Sequence, residues 1–257
     1  MNYKYIIGII LIFLLSNCER NMKLVNNQEY QLIWEENFMS VLDTSLWNIE
    51  VKEAGWVNNE LQSYTSNKQN LYIKDEKLHI KAIKMDNNNY TSSRITTFQK
   101  KKWKYGYFEI KAMFDKKQGT WPAIWLLSET IIEEGWPQCG EIDIMEHINV
   151  EDQIYGSLHS KEYNHMKGNN LGDSHSVNNV EDFNIYGLEW QHDRINWYVN
   201  DNLFYSINRT EYFGKEWPYD KDYFMIINLA IGGDWPGPPL NDFLSSLFVI
   251  DWIKVYE

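Results

Sequence analysis

Glu141, Asp143 and Glu146 stand within six residues of one another in Gly140-Glu141-Ile142-Asp143-Ile144-Met145-Glu146-His147, a stretch that otherwise reads as a buried strand. Charge placed beside a core is costly unless it is hydrogen-bonded or used for chemistry. On a strand, Glu141 and Asp143 share one face while Ile142 and Ile144 point into the core. Glu146 has the wrong parity for that face. One extra residue, most simply Met145 in a β-bulge, turns it back beside the other two. Two carboxylates in one trench suit cleavage of a glycosidic bond, one as nucleophile and the other as acid, then base. The retaining form needs carboxyl groups about 5–5.5 Å apart, whereas four pleat steps leave the backbones about 13 Å apart. The two side chains must therefore lean together across Asp143. A solvated, charged strand edge and a metal site are the alternative readings. A helix is disfavoured, because an offset of five separates Glu141 from Glu146 by about 140°.

The elements that would position this row are strands. After residue 30 short β-branched or aromatic alternations are separated by Asn, Asp and Gly turns, as at 71–74, 77–82, 105–112, 155–159, 186–190, 195–200, 225–231 and 247–256. Val199-Asn200-Asp201-Asn202-Leu203 predicts a hairpin. Many closely spaced strands predict an all-β fold, a β-sandwich of jelly-roll type in which two packed antiparallel sheets carry a concave substrate cleft. The 257 residues, 44% hydrophobic, suffice for one such domain, and no internal repeat suggests a second. Residues 161–182 read as one long loop, with His165 and His175 solvated rather than spaced for zinc.

Twelve tryptophans and seventeen tyrosines are an excess shared between sandwich packing and faces that stack on sugar rings. The net charge of −12 argues against nucleic acid and favours a neutral polymer over a sulfated one. At the N-terminus, Lys4 precedes an apolar run over 6–15 and then Leu15-Ser16-Asn17-Cys18. The run is too short to span a bilayer and reads as an export signal. A cysteine directly after it resembles a bacterial lipoprotein signal. The expected organisation is a signal peptide at 1–17, a polar tether at 18–28 beginning at lipidated Cys18, and a catalytic domain at 29–257. Localisation would be a bacterial outer membrane or cell surface, with the domain monomeric. The alternative is plain secretion with a Cys18–Cys139 disulfide.

Several stretches together resemble glycoside hydrolase family 16, of the bacterial endo-β-1,3-glucanase (laminarinase) type. They are Asn58-Asn59-Glu60-Leu61-Gln62, Tyr90-Thr91-Ser92-Ser93-Arg94-Ile95, Gly119-Thr120-Trp121-Pro122-Ala123-Ile124-Trp125, the segment from Trp136 to His147, and Gly232-Gly233-Asp234-Trp235-Pro236-Gly237. The resemblance implies Glu141 as nucleophile, Glu146 as acid/base, and Asp143 as the group that hydrogen-bonds the nucleophile. Three like charges side by side do not all ionise easily, so at least one proton affinity must rise. Glu146 is expected to be protonated near neutrality and Glu141 ionised. Trp121, Trp125 and Trp136 would line sugar subsites, with core packing as the alternative. Asn59 and Arg94 would donate to sugar hydroxyls, the alternatives being a turn cap and a surface ion pair. His159 would point into the same cleft, Trp235 would stand at its edge, and Glu60 would be structural.

The chemistry needs no cofactor. The resemblance further implies a structural calcium on the convex side, with the carbonyls of Asn37 and Gly55 and both oxygen types of Asp251 as donors. The expected substrate is β-1,3-glucan. Mixed-linkage β-1,3-1,4-glucan, a red-algal galactan, transglycosylation and a non-catalytic glucan-binding surface protein are the alternatives.

Overall fold

The computed structural model describes residues 21–212 and 215–257. Cys18 and the signal segment lie outside the described residues. In chain order the strands are β1 (Met22–Val25), β2 (Gln28–Glu36), β3 (Asn48–Ile49), β4 (Gln62–Tyr64), β5 (Leu71–Lys74), β6 (Lys77–Lys84), β7 (Tyr90–Ser92), β8 (Arg94–Thr96) and β9 (Gly106–Phe114). Then follow β10 (Thr120–Ser128), β11 (Glu141–Glu146), β12 (Gln153–His159), β13 (Leu171–Ser176), β14 (Asn184–Trp190), β15 (Arg194–Val199), β16 (Asn202–Asn208), β17 (Tyr223–Ile231) and β18 (Ser245–Tyr256).

These strands form two sheets. One runs β13-β12-β11-β10-β17-β8-β3. The other runs β16-β15-β14-β9-β18-β6-β7-β4, with the β1–β2 hairpin joined through β18 and β5 through β6. Nearly all neighbours are antiparallel, as the short turns require; β4 and β7 pair in parallel. Alternate residues of both sheets meet in one core, among them Ile110, Ala112, Leu188 and Trp190 from one and Ile142, Met225, Ile227 and Leu229 from the other. Each leucine, isoleucine or methionine among them contributes about 1.5–3 kcal/mol on burial. All nine residues of β17 are buried, because its second face is also covered. There Phe224 and Ile226 join Leu127 and Cys139, with Trp125 and Trp136 packed against them, in a smaller cluster. That cluster underlies the side chains expected to line the cleft.

The hairpin at Asn200-Asp201 is present, both residues at positive φ as its tight turn requires. Two expectations are corrected. The tether at 18–28 is strand from Met22 onward: β1 pairs with β2, and Val25 is buried with Tyr30, Tyr107, Tyr198 and Tyr256. The loop at 161–182 contains a short 3-10 turn at His165–Lys167 and the edge strand β13. Its sequence, Leu-Gly-Asp-Ser-His-Ser, lacks apolar alternation because an edge strand is held by its backbone ladder to β12. No helix among the described residues is long and apolar enough to cross a membrane.

Candidate active site

The row of acids is built by a bulge. Glu141, Ile142 and Asp143 of β11 face His159, Leu158 and Ser157 of β12, and Glu146 faces Tyr155. Three steps along β11 thus match two along β12. On the other side Asp143 faces Trp125 and Met145 faces Ile124, so Ile144 is the residue without a partner there. The extra residue expected at Met145 is therefore Ile144. Ile144 and Met145 both enter the core, two in succession, and that slip returns Glu146 to the side of Glu141 and Asp143. Gly140 sets the entry to this strand at φ +91, and a Cβ there would stand 2.1 Å from the Tyr223 hydroxyl. Only glycine fits.

Around the row the donors are specific. The Trp121 indole donates to Glu146 Oε1 at 2.9 Å. Ser157 Oγ donates to Asp143 Oδ2 at 2.7 Å. His159 Nε2 lies 3.1 Å from the same oxygen and 3.8 Å from Glu141 Oε1. Desolvation, then the charge of Asp143, pushes Glu141 up to about 8, with His159 and Arg94 pulling the other way. The same two causes raise Glu146 well above the ordinary carboxylate range, while the Trp121 bond opposes them. Burial by itself would lower His159; the Asp143 hydrogen bond and the charges of Asp143, Glu141 and Glu146 outweigh it and raise the imidazole to about 9. The expectation that only Glu146 holds its proton near neutrality is thereby revised. In the free cleft both glutamates are raised, and an imidazolium beside Asp143 partly offsets the crowding.

The remaining residues fall around this centre. Arg94 is ion-paired with Glu50, and its guanidinium lies over the faces of Trp125 at 4.8 Å and Trp56 at 5.0 Å. The ion-pair alternative is realised, yet the group is buried rather than on the surface and its charge acts on Glu141. Trp125 is half-buried and donates to Asn228 Oδ1 at 2.8 Å. Asn59 is exposed at φ +53 and its amide donates to Asp234 Oδ1 at 2.9 Å, which ties the 55–60 loop to the Gly232–Gly237 turn. Trp235, 40% exposed, stands edge-on to Trp121 at 5.4 Å and to Tyr155 at 5.0 Å. Trp136 is half-buried, with His159 at 6.0 Å and His165 at 5.0 Å. Glu60 is buried among Asn58, Gln62 and Tyr64, the structural place expected for it.

Sequence reasoning missed Ser157, Trp56, Tyr155 and His165. Ser157 was accessible by parity, because it is two residues from His159 on a strand facing the acids. His165 is exposed, as expected, and its ring also lies 5.0 Å from Trp136 and 5.2 Å from His159 at the cleft.

Of the expected calcium donors, the Asp251 carboxylate is already engaged. Asp251 Oδ1 is 3.4 Å from Lys77 Nζ and Oδ2 is 2.8 Å from Lys111 Nζ, so two ammonium groups hold its carboxylate. Gly55 belongs to the loop that closes onto Glu60. Among the described residues, the His and carboxylate oxygens near enough to share an ion are those of Glu141, Asp143 and His159, in the cleft itself.

The model of Glycosyl hydrolases family 16 matches residues 26–254. A Beta-glucanase of Rhodothermus marinus is 36% identical over 244 residues, which cover 89% of this chain and 85% of the relative. The catalytic domain of an endo-1,3-beta-glucanase (laminarinase) from Thermotoga petrophila superposes with a TM-score of 0.83 at 38% identity, over 89% of this chain and 98% of that one. The endo-beta-1,3-glucanase of Pyrococcus furiosus gives a TM-score of 0.85 at 32% identity, over 92% and 98%.

Proposed function

Since the chain belongs to glycosyl hydrolases family 16 and is a glycoside hydrolase, we propose that it cleaves β-1,3-glucan internally with retention of anomeric configuration. The observation that carries the site assignment is the bulge, which sets Glu141, Asp143 and Glu146 in one row with the Trp121 indole on Glu146. In the first step the Glu141 carboxylate attacks the anomeric carbon while the Glu146 carboxyl gives its proton to the departing glycosidic oxygen. A glycosyl ester on Glu141 results. In the second step Glu146, now a carboxylate, takes a proton from water, which attacks the same carbon and expels Glu141.

The raised affinity of Glu146 suits the acid half of that cycle, and the charge released by protonating the sugar oxygen suits the base half. Asp143, held by Ser157 and His159, lies between the two glutamates in the row. His159 and Arg94 supply the positive charge that favours the nucleophilic carboxylate. Trp121, Trp125, Trp136 and Trp235 offer apolar faces to sugar rings, with Asn59 at the rim. No step requires a metal: the proton, the nucleophile and the water are all handled by these carboxylates.

Release of reducing ends from laminarin by the wild type and by Glu141→Gln tests the reading, with the product anomer followed by NMR. A β-anomer formed first, and a loss of at least about a thousandfold in the variant, are expected. Unchanged activity in Glu141→Gln or an inverted product refutes it.

The leader supports a further proposal, that the mature chain starts at lipidated Cys18 and works as a monomer on the outer face of a bacterial membrane. Three residues separate Cys18 from β1, a reach over four steps of at most about 14 Å. The domain would ride close to the bilayer. Radiolabelled palmitate incorporated by the wild type and not by Cys18→Ser is the expected result.

A further inference from the structure

The bulge that gives the row its geometry is gripped from the far side of the core. Trp197 lies on β15, in the other sheet, and is fully buried. Its indole nitrogen donates to the backbone carbonyl of Asp143 at 2.7 Å. That carbonyl marks the last paired position before the ladder slips, ahead of the unpartnered Ile144. Gly156, on β12 between the residues facing Asp143 and Glu146, makes room for the ring. A Cβ at 156 would stand 2.5 Å from Trp197 Cδ1 and 2.8 Å from Nε1. Tyr205 packs on the indole at 5.0 Å and limits its movement.

We propose that Trp197 is a positioning residue for the acid/base. Through the Asp143 carbonyl it fixes where the extra residue of β11 sits, and so holds Glu146 in phase with Glu141. The chain of cause runs from core packing to catalysis. Without the indole N–H, the extra residue is free to migrate toward Met145 or to relax, because no other side chain among the described residues donates to that carbonyl. Glu146 then turns away from the glycosidic oxygen while Glu141, before the slip, keeps its place and its partners on β12. The defect is selective. Proton delivery suffers, and nucleophilic attack does not.

This inference rests on Glu146 being the acid, and the assay separates the two ideas. A laminarin linkage leaves as a sugar alcohol and needs protonation; a 2,4-dinitrophenyl β-laminaribioside leaves as a stable phenolate and does not. Trp197→Phe should lower kcat/KM on laminarin by about a hundredfold, the scale of an ångström-sized misplacement. On the activated substrate kcat/KM should change by less than about threefold, and azide should restore turnover by capturing the glycosyl-enzyme. Replacing Trp197 by 3-benzothienylalanine, which keeps the shape and lacks the N–H, should give the same split even if the phenylalanine variant folds poorly. Trp47→Phe is the matched control, since it removes another buried indole bond, to Glu36 Oε2 at 3.2 Å, remote from β11. It should lower stability without splitting the two substrates. Equal loss on both substrates, or no loss, in the folded Trp197 variants overturns the proposal. Absence of the split in Glu146→Ala overturns the acid assignment instead.

Discussion

Replacing His159 by glutamine should move the acidic limb of activity to higher pH, and the structure sets the size. His159 Nε2 stands 3.8 Å from Glu141 Oε1 and carries a proton through neutrality, its pKa raised to about 9. Two opposite charges at that distance attract by about 4 kcal/mol at an effective dielectric of 20. At 1.36 kcal/mol per unit this bounds the effect at about three pH units. Sharing of the imidazolium with Asp143 and water in the open trench reduce it, so a shift of about one to two units is expected. The sign follows from the active form. Glu141 must be a carboxylate to attack, a neighbouring cation favours the carboxylate, and its removal raises the pKa further above the value of about 8 in the free cleft. Activity of the variant should therefore fall steeply at pH 6 and recover as pH rises, until Glu146 in turn loses its proton. The assay is kcat/KM on laminarin from pH 5 to 10, since that parameter reports the free enzyme. A limb that stays in place, or moves down, refutes the electrostatic reasoning.

Trp121→Phe removes the N–H that stabilises ionised Glu146, so the alkaline limb of the same profile should move to higher pH. Gly140→Ala forces a side chain into the left-handed region and against Tyr223, and should cost at least about 2 kcal/mol in thermal denaturation. Asp251→Asn should lower stability by about 1 kcal/mol through its two lysines while leaving kcat/KM intact, and a chelator should leave the wild-type melting temperature unchanged.

The sandwich was legible because strand period and turn chemistry both write themselves into local sequence. Asn200-Asp201 announces a hairpin, and Ile142 with Ile144 announces an inward face. The need for a bulge was legible too, by parity alone. Its position was not. Ile144 and Met145 are equally apolar, and what decides between them is the pairing with Ile124 on β10 and a tryptophan more than fifty residues away. The tether and the loop at 161–182 were misread for a related reason. Both are edge elements held by backbone ladders, and a ladder leaves no mark in side-chain alternation.

The site divides along the same line. Charged residues crowded on one strand reveal themselves because the crowding is costly, so Glu141, Asp143 and Glu146 could be chosen before any fold was known. Residues whose part is to relieve that cost come from elsewhere in the chain and look ordinary where they stand. Ser157 is one serine among many until β12 lies beside β11, and Trp197 is a core tryptophan until its nitrogen is found on a carbonyl. Arg94 is a further case. It reads as a donor to sugar hydroxyls or one half of a surface pair, yet burial against Trp56 and Trp125 makes its pair with the distant Glu50 a way of holding positive charge near the nucleophile. The cost of the acids is written on one strand, and its compensation is distributed over both sheets.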